Sequence, residues 1–278
     1  MRHPYQATAC LALAVAMNSS MAAQELIASH ATTNIAYSVQ GSGPLVVLIA
    51  SLGRGTAEFD TLAKRLVERG YLVALPEPRG IGRSSGPMEN ISLHDLANDY
   101  ASVITAQGSP AIVAGHAYGQ WVARTLATDH PELVRGTVLI AAGSKQWPRE
   151  LLNEIATIND PAAHRDQKIA SLRVAFFAVG NDPQPWLEGW HPAVARSQLA
   201  AEKRTAQDHW WAGGSAPILD LQADTDPFRP EASRLEMKEQ FGARVTVRVV
   251  PNSSHALPAE KPLQVADAIA DWADQLDR

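Results

Sequence analysis

Residues 111–119 read Ala111-Ile112-Val113-Ala114-Gly115-His116-Ala117-Tyr118-Gly119. The first four are uniformly apolar, which predicts a short strand covered on both faces. Residues 118–128 carry helical spacing and stop before Pro131, so a helix follows almost at once. Between the two elements, glycines flank a central residue at a spacing of two, which lets the chain turn sharply. Residue 117 is then held exposed above the end of the strand.

Outward from this corner the same alternation repeats. Toward the N-terminus, residues 33–39 predict a strand closed by the turn Gly41-Ser42-Gly43-Pro44, and residues 45–50 form a continuous apolar run. Residues 56–69 place Phe59, Leu62, Ala63, Leu66 and Val67 on one helical face, with Gly70 as the stop. A strand is expected at 71–75 and a helix at 93–104. Toward the C-terminus, strands are expected at 137–142, 218–221 and 245–250, with amphipathic helices after the last two. The final helix carries Val265, Ile269 and Trp272 on one face. Strands and helices alternating with short connections predict an α/β fold, a mostly parallel sheet wrapped by right-handed crossovers. The rhythm breaks at about 144–214, which has helical segments and no buried strand. That stretch holds Trp147, Trp186, Trp190, Trp210 and Trp211, five of the seven tryptophans, so it is not a plain linker. A single domain over 24–278 with a helical insertion is the expected organisation.

A chain of 278 residues with 46% hydrophobic content has ample material for one large core. Its formal charge of −5, with no basic run, argues against a nucleic-acid binder. The first 23 residues predict an export signal: Arg2 and His3 lead, residues 7–17 are apolar, and small residues follow at Ser20, Ala22 and Ala23. The only cysteine, Cys10, falls inside that segment, so the mature chain is expected to lack thiols, disulfides and Cys-metal sites. These features predict a periplasmic or secreted protein with no membrane attachment once the signal is removed.

Four stretches together resemble the α/β-hydrolase superfamily. Gly115-His116-Ala117-Tyr118-Gly119 matches its G-x-S-x-G nucleophile elbow except at the centre, and Pro78-Arg79-Gly80-Ile81-Gly82-Arg83-Ser84 resembles its loop after the fourth strand. Asp224-Thr225-Asp226-Pro227-Phe228-Arg229-Pro230 resembles the acid loop, and Asn252-Ser253-Ser254-His255 the histidine loop. The resemblance spans roughly 33–276 and implies His255 as general base, since an imidazole can take and return a proton at neutral pH. It implies Asp226 as the carboxylate that orients it, with Asp224 as the competing choice. It also implies an oxyanion hole from the backbone N–H groups of Leu52 and Tyr118. Many relatives carry His-Gly where this chain has Ala50-Ser51; Ser51 and Arg54 either replace polar function there or pack the loop. The insertion is expected to form a lid. Its tryptophans suit either an apolar or aromatic small-molecule substrate or the lid's own core.

Ala117 is the decisive departure. A methyl group has no lone pair, so the acyl-enzyme route is closed in this chain. The alanine is either natural or an engineered replacement of a parent serine. The leading expectation is hydrolysis of an ester, lactone or similar acyl bond, by a serine-containing parent or by a water that His255 activates. The alternatives are a non-hydrolytic proton-transfer enzyme on the same pocket (lyase, isomerase or cofactor-free oxygenase) and a catalytically silent ligand-binding protein. With no HEXXH, P-loop or complete dinucleotide fingerprint in the chain, no metal or organic cofactor is expected.

Overall fold

The computed structural model describes residues 24–276; the expected signal segment, 1–23, lies outside the described residues. Eight strands form one sheet: β1 (Gln24–His30), β2 (Thr33–Gly41), β3 (Leu45–Ile49), β4 (Leu72–Pro76), β5 (Ala111–His116), β6 (Val134–Ile140), β7 (Ile218–Ala223) and β8 (Val245–Val250). Their spatial order is β1-β2-β4-β3-β5-β6-β7-β8. The pairings β1–β2 and β2–β4 are antiparallel and all the others parallel. The α/β-hydrolase fold is therefore present, with the expected strands in place to within a few residues.

The sequence pattern did not reveal β1. Its residues alternate only weakly, with Ile27 exposed and Ala28 buried, because it is an edge strand packed on one face.

The parallel strands bury both faces, and the period-2 alternation sorts them. Val46, Leu48, Ile112, Ala114, Val138 and Ile140 point to one side, against Leu62 and Leu66 of α1 (Asp60–Glu68) and Val265, Ile269 and Trp272 of the C-terminal helix, Pro262–Leu276. Val47, Ile49, Val113 and Leu139 point to the other side. There they meet α2 (Leu93–Gln107) through Val103 and Ile104, and α3 (Gly119–Asp129) through Val122 and Leu126. Each of the valines, leucines and isoleucines among them contributes roughly 1.5–3 kcal/mol on burial. Helix α2 begins at a capping box in which Ser92 and Asp95 satisfy each other's end amides.

Between β6 and β7 the chain leaves the sheet and builds α4 (Leu152–Asn159), α5 (Arg165–Ala175), α6 (Pro192–Arg204) and the single turn α7 (Gln207–Trp210). A third apolar cluster holds this cap together. Trp147, Ile158, Leu172, Phe176 and Trp186 share it with Phe228 and Ala256, so the cap core runs directly into the loops after β7 and β8.

Candidate active site

Residue 117 sits where β5 gives way to α3, and it carries the strained backbone itself: Ala117 has φ +47°. The left-handed region costs an L-residue of this kind about 1–2 kcal/mol. Two hydrogen bonds hold it there, Ala117 N–H to the Ile140 carbonyl at 2.9 Å and Gln120 N–H to the Ala117 carbonyl at 3.1 Å. The flanking glycines serve a different purpose from the one the sequence suggested. Neither has a positive φ; they permit close approach. A Cβ on Gly115 would lie 2.3 Å from the Gly119 carbonyl oxygen, and one on Gly119 would lie 2.4 Å from that of Ile49.

The acid and the base converge on this corner. His255, buried in the loop after β8, places Nδ1 at 2.9 and 3.1 Å from the two carboxylate oxygens of Asp226. A carboxylate can only accept, so Nδ1 carries the proton and Nε2 is left free in a residue that lines the cavity beside Ala117. Asp226 is fixed in turn by the Phe228 amide, which donates to Oδ1 at 2.8 Å. Asp224 is excluded as the orienter by its own bonds: it accepts from the amides of Asn252 and Ser253 at 2.8 and 3.0 Å and so shapes the histidine loop. The Phe228 ring stacks on His255 at 4.0 Å between centroids. Phe228 was part of the acid-loop motif, yet nothing in the sequence marked it as a partner of the imidazole. Glu260 was also missed. It accepts the Ser254 amide at 2.6 Å and the Ala178 amide at 2.7 Å, tying the base loop to the cap.

Leu52 and Tyr118 both line the same cavity. Among the described residues, neither of their amides donates to a protein acceptor. Two free N–H groups at the start of α3 and on the loop after β3 are what a developing oxyanion needs, and the positive end of the helix dipole adds to them. The Tyr118 hydroxyl is turned away, donating to the Gln198 carbonyl at 2.8 Å, and burial pushes it well above the usual phenol range. It is a fixed anchor to the cap, held in its neutral form.

The tryptophans divide. Trp147 and Trp190 line the cavity, while Trp186 packs inside the cap between Phe177 and Trp190. Trp210 and Trp211 belong to neither group: they join the main core against α3 and sit over the buried Arg124 guanidinium, at 5.8 and 4.4 Å. Of the five tryptophans offered as candidate substrate contacts, Trp147 and Trp190 alone line the cavity, and Trp186, Trp210 and Trp211 are structural; the pattern of tryptophans did not show which helix face each would occupy. The cavity measures about 60 Å³ and is otherwise walled by Trp121, Ile155, Phe176 and Leu199. Its polar rim includes His255, Ser51 and Gln120, and the Oε1 of Gln120 is buried with no hydrogen-bond partner among the described residues. Ser51 and Arg54 also separate: Ser51 faces the cavity, whereas Arg54 is buried against Glu58 and the cap. Among the described residues no group of three His, Cys, Asp or Glu side chains is placed to hold a metal ion.

With corner, acid and histidine following β5, β7 and β8 in that chain order, the molecule is an α/β-hydrolase. The family model described as serine aminopeptidase, S33, matches residues 42–262, and the chain belongs to that family. It is 35% identical over 257 residues to the 2-(acetamidomethylene)succinate hydrolase of Mesorhizobium japonicum, covering 84% of this chain and 90% of that protein. It is 25% identical over 251 residues to the pyrethroid hydrolase of Sphingobium wenxiniae, covering 83% and 87%. Among solved structures, an esterase from Thermogutta terrifontis superposes with a TM-score of 0.73 at 20% identity, over 91% of this chain and 99% of that one. That last likeness concerns the fold.

Proposed function

We propose that this α/β-hydrolase cleaves an acyl bond of a small, largely apolar substrate by direct attack of water. The observation that carries the reading is the buried Asp226–His255 pair on the same cavity as Ala117 and as Leu52 and Tyr118, whose amides are unengaged. A serine side chain would place an oxygen between them; with alanine, the same position is open to a water. His255 Nε2 takes a proton from that water as its oxygen attacks the substrate carbonyl carbon. The carbonyl oxygen becomes the oxyanion, held by Leu52 N–H and Tyr118 N–H. Collapse breaks the bond to the leaving group, which takes the proton back from the imidazolium, while Asp226 stabilises the charged ring throughout. The walls of Trp147, Trp190 and Phe176 support an apolar or aromatic acyl or leaving group. The two relatives are named as hydrolases of 2-(acetamidomethylene)succinate and of pyrethroids, which supports hydrolysis as the reaction class. The N-terminal pattern supports a periplasmic or secreted setting.

The test is turnover of a panel of p-nitrophenyl and phenyl esters and the matching anilides in water enriched in oxygen-18. The label should enter the acid product, no acyl adduct should appear in the intact-protein mass, and His255→Ala should lower the rate by about 10²-fold or more. Turnover that survives His255→Ala sinks the proposal. A product formed without uptake of the label points instead to proton-transfer chemistry on the same base.

A further inference from the structure

Behind the cavity floor lies a second set of buried charges. Glu58, on the 3-10 turn Thr56–Phe59 that precedes α1, has a fully shielded carboxyl. Three groups meet it: the Ser51 amide donates to Oε1 at 2.8 Å, His116 Nδ1 lies 3.2 Å from the same oxygen, and the Arg54 guanidinium forms an ion pair with Oε2, its Nε at 3.2 Å. Burial alone pushes the carboxyl up, but His116, Arg54 and the Ser51 amide outweigh it and hold the group below the usual carboxylate range. It is a buried anion.

Its three partners belong to three different parts of the site. Ser51 immediately precedes Leu52 in the loop after β3. His116 is the residue before Ala117, and its Nε2 lies 2.8 Å from the carbonyl oxygen of His255. Both ring nitrogens of His116 therefore face acceptors, which places the ring between Glu58 and the base loop. Arg54 reaches the cap: its guanidinium lies over the rings of Trp186 and Trp190 at 4.2 and 4.8 Å and donates to the Glu188 carbonyl at 3.1 Å. The loop is clasped to the cap a second time at Gly53, whose N–H donates to Gln198 Oε1 and whose carbonyl accepts from the His191 amide, both at 2.7 Å.

We propose that Glu58 is a positioning residue that couples the cap to the reaction centre. One carboxylate orients the loop bearing the Leu52 amide, steadies the base loop through His116, and holds the cap wall through Arg54. Seating of the cap over a substrate and the aim of the oxyanion donor are thereby set together. The negative charge is required, because a carboxamide at this position could accept the Ser51 amide but could not compensate the buried Arg54 guanidinium. The inference rests on the reading of Leu52 and Tyr118 as oxyanion donors, and its first test needs no substrate.

Amide hydrogen exchange is measured on the mature chain and on Glu58→Gln. Exchange should accelerate by about tenfold or more at 51–54 and 186–198, while the strands and α1 stay at their original rates. Unchanged rates at those segments, or one uniform acceleration over the whole molecule, overturn the proposal. If Glu58→Gln does not fold, Arg54→Met severs the cap arm alone: His191 should then exchange faster with Ser51 unchanged, and an unaltered His191 overturns the coupling.

The kinetic arm uses p-nitrophenyl acetate with a serine restored at 117. Adding Glu58→Gln to Ala117→Ser should lower kcat by about tenfold or more with KM within about threefold, and Glu58→Asp should recover part of the loss. A change confined to KM contradicts the positioning role. Absence of any esterase activity in Ala117→Ser counts against the hydrolytic reading alone, because the exchange measurement decides the coupling independently.

Discussion

Two sides of one cavity differ in what they retain. The side formed by β7 and β8 carries an intact carboxylate–imidazole pair: Asp226 bonded to His255, each held by its own loop, with Phe228 stacked on the ring. The side formed by β3 and β5 keeps all its backbone features and lacks the reactive atom. Ala117 still holds the left-handed conformation of a nucleophile, the flanking glycines still allow close approach, and the amides of Leu52 and Tyr118 are still unengaged. The backbone part of a hydrolase corner is thus separable from its side-chain part. In the proposed reaction, free amides serve an oxyanion whether the attacking oxygen belongs to a serine or to a water.

The largest effect that bears on this comparison comes from restoring the missing atom. If the corner is fully formed, Ala117→Ser places a hydroxyl within reach of His255 without rearranging the backbone, because serine tolerates the φ that alanine already adopts. In a serine hydrolase of another fold, removing the nucleophile costs on the order of 10⁶ in turnover. A gain of about 10³-fold or more in kcat/KM for p-nitrophenyl acetate is therefore expected, with an acyl adduct visible in the intact mass. No gain would break the comparison, because it would mean that the two sides are not aligned for acyl transfer and that the base serves another reaction.

A smaller effect sharpens the claim that the glycines act by proximity. Gly119→Ala brings a methyl group within 2.4 Å of the Ile49 carbonyl oxygen and 2.8 Å of the Ala50 oxygen. Both contacts are backbone atoms and cannot rotate away. The expected cost is about 1–3 kcal/mol in urea denaturation, as for other overpacked sites. Because Ile49 and Ala50 lead into Ser51 and Leu52, the displaced loop should also lower activity beyond the loss of stability. A neutral Gly119→Ala would show that the corner is looser than its contacts imply.

How far the sequence revealed this site follows from the kind of interaction involved. Parallel strands buried on both faces appear as unbroken apolar runs, and the residues that close tight turns are restricted in type, so the elbow, the acid loop and the histidine loop were all legible. Asp226 and Asp224 lie two positions apart, and their roles separate only through which loop each one bonds. The Glu58–His116–Arg54 set was invisible for a related reason. Arg54 and Glu58 are only four positions apart, and it is the packing of the 3-10 turn Thr56–Phe59 against the end of β5 that brings His116 to within about 3 Å of the carboxylate, a range in which Coulomb terms decide structure. Tryptophans marked the cap as a packed unit, but the choice between cavity wall and core depended on helix orientation, which composition does not encode.

The smallest expected effect tests whether strain persists where no nucleophile needs it. At φ +47° alanine pays for its Cβ, and glycine would not. Glycine also gives the unfolded chain more freedom, which offsets part of that gain by about 0.4–1 kcal/mol. Ala117→Gly should therefore stabilise the fold by up to about 1 kcal/mol, read as a raised urea midpoint with an unchanged slope. The methyl it removes faces the cavity rather than the core, so little packing is lost. A destabilisation of comparable size would show that the methyl is a packing element of the corner. The water position proposed between His255 and the free amides would then be narrower than the present geometry makes it.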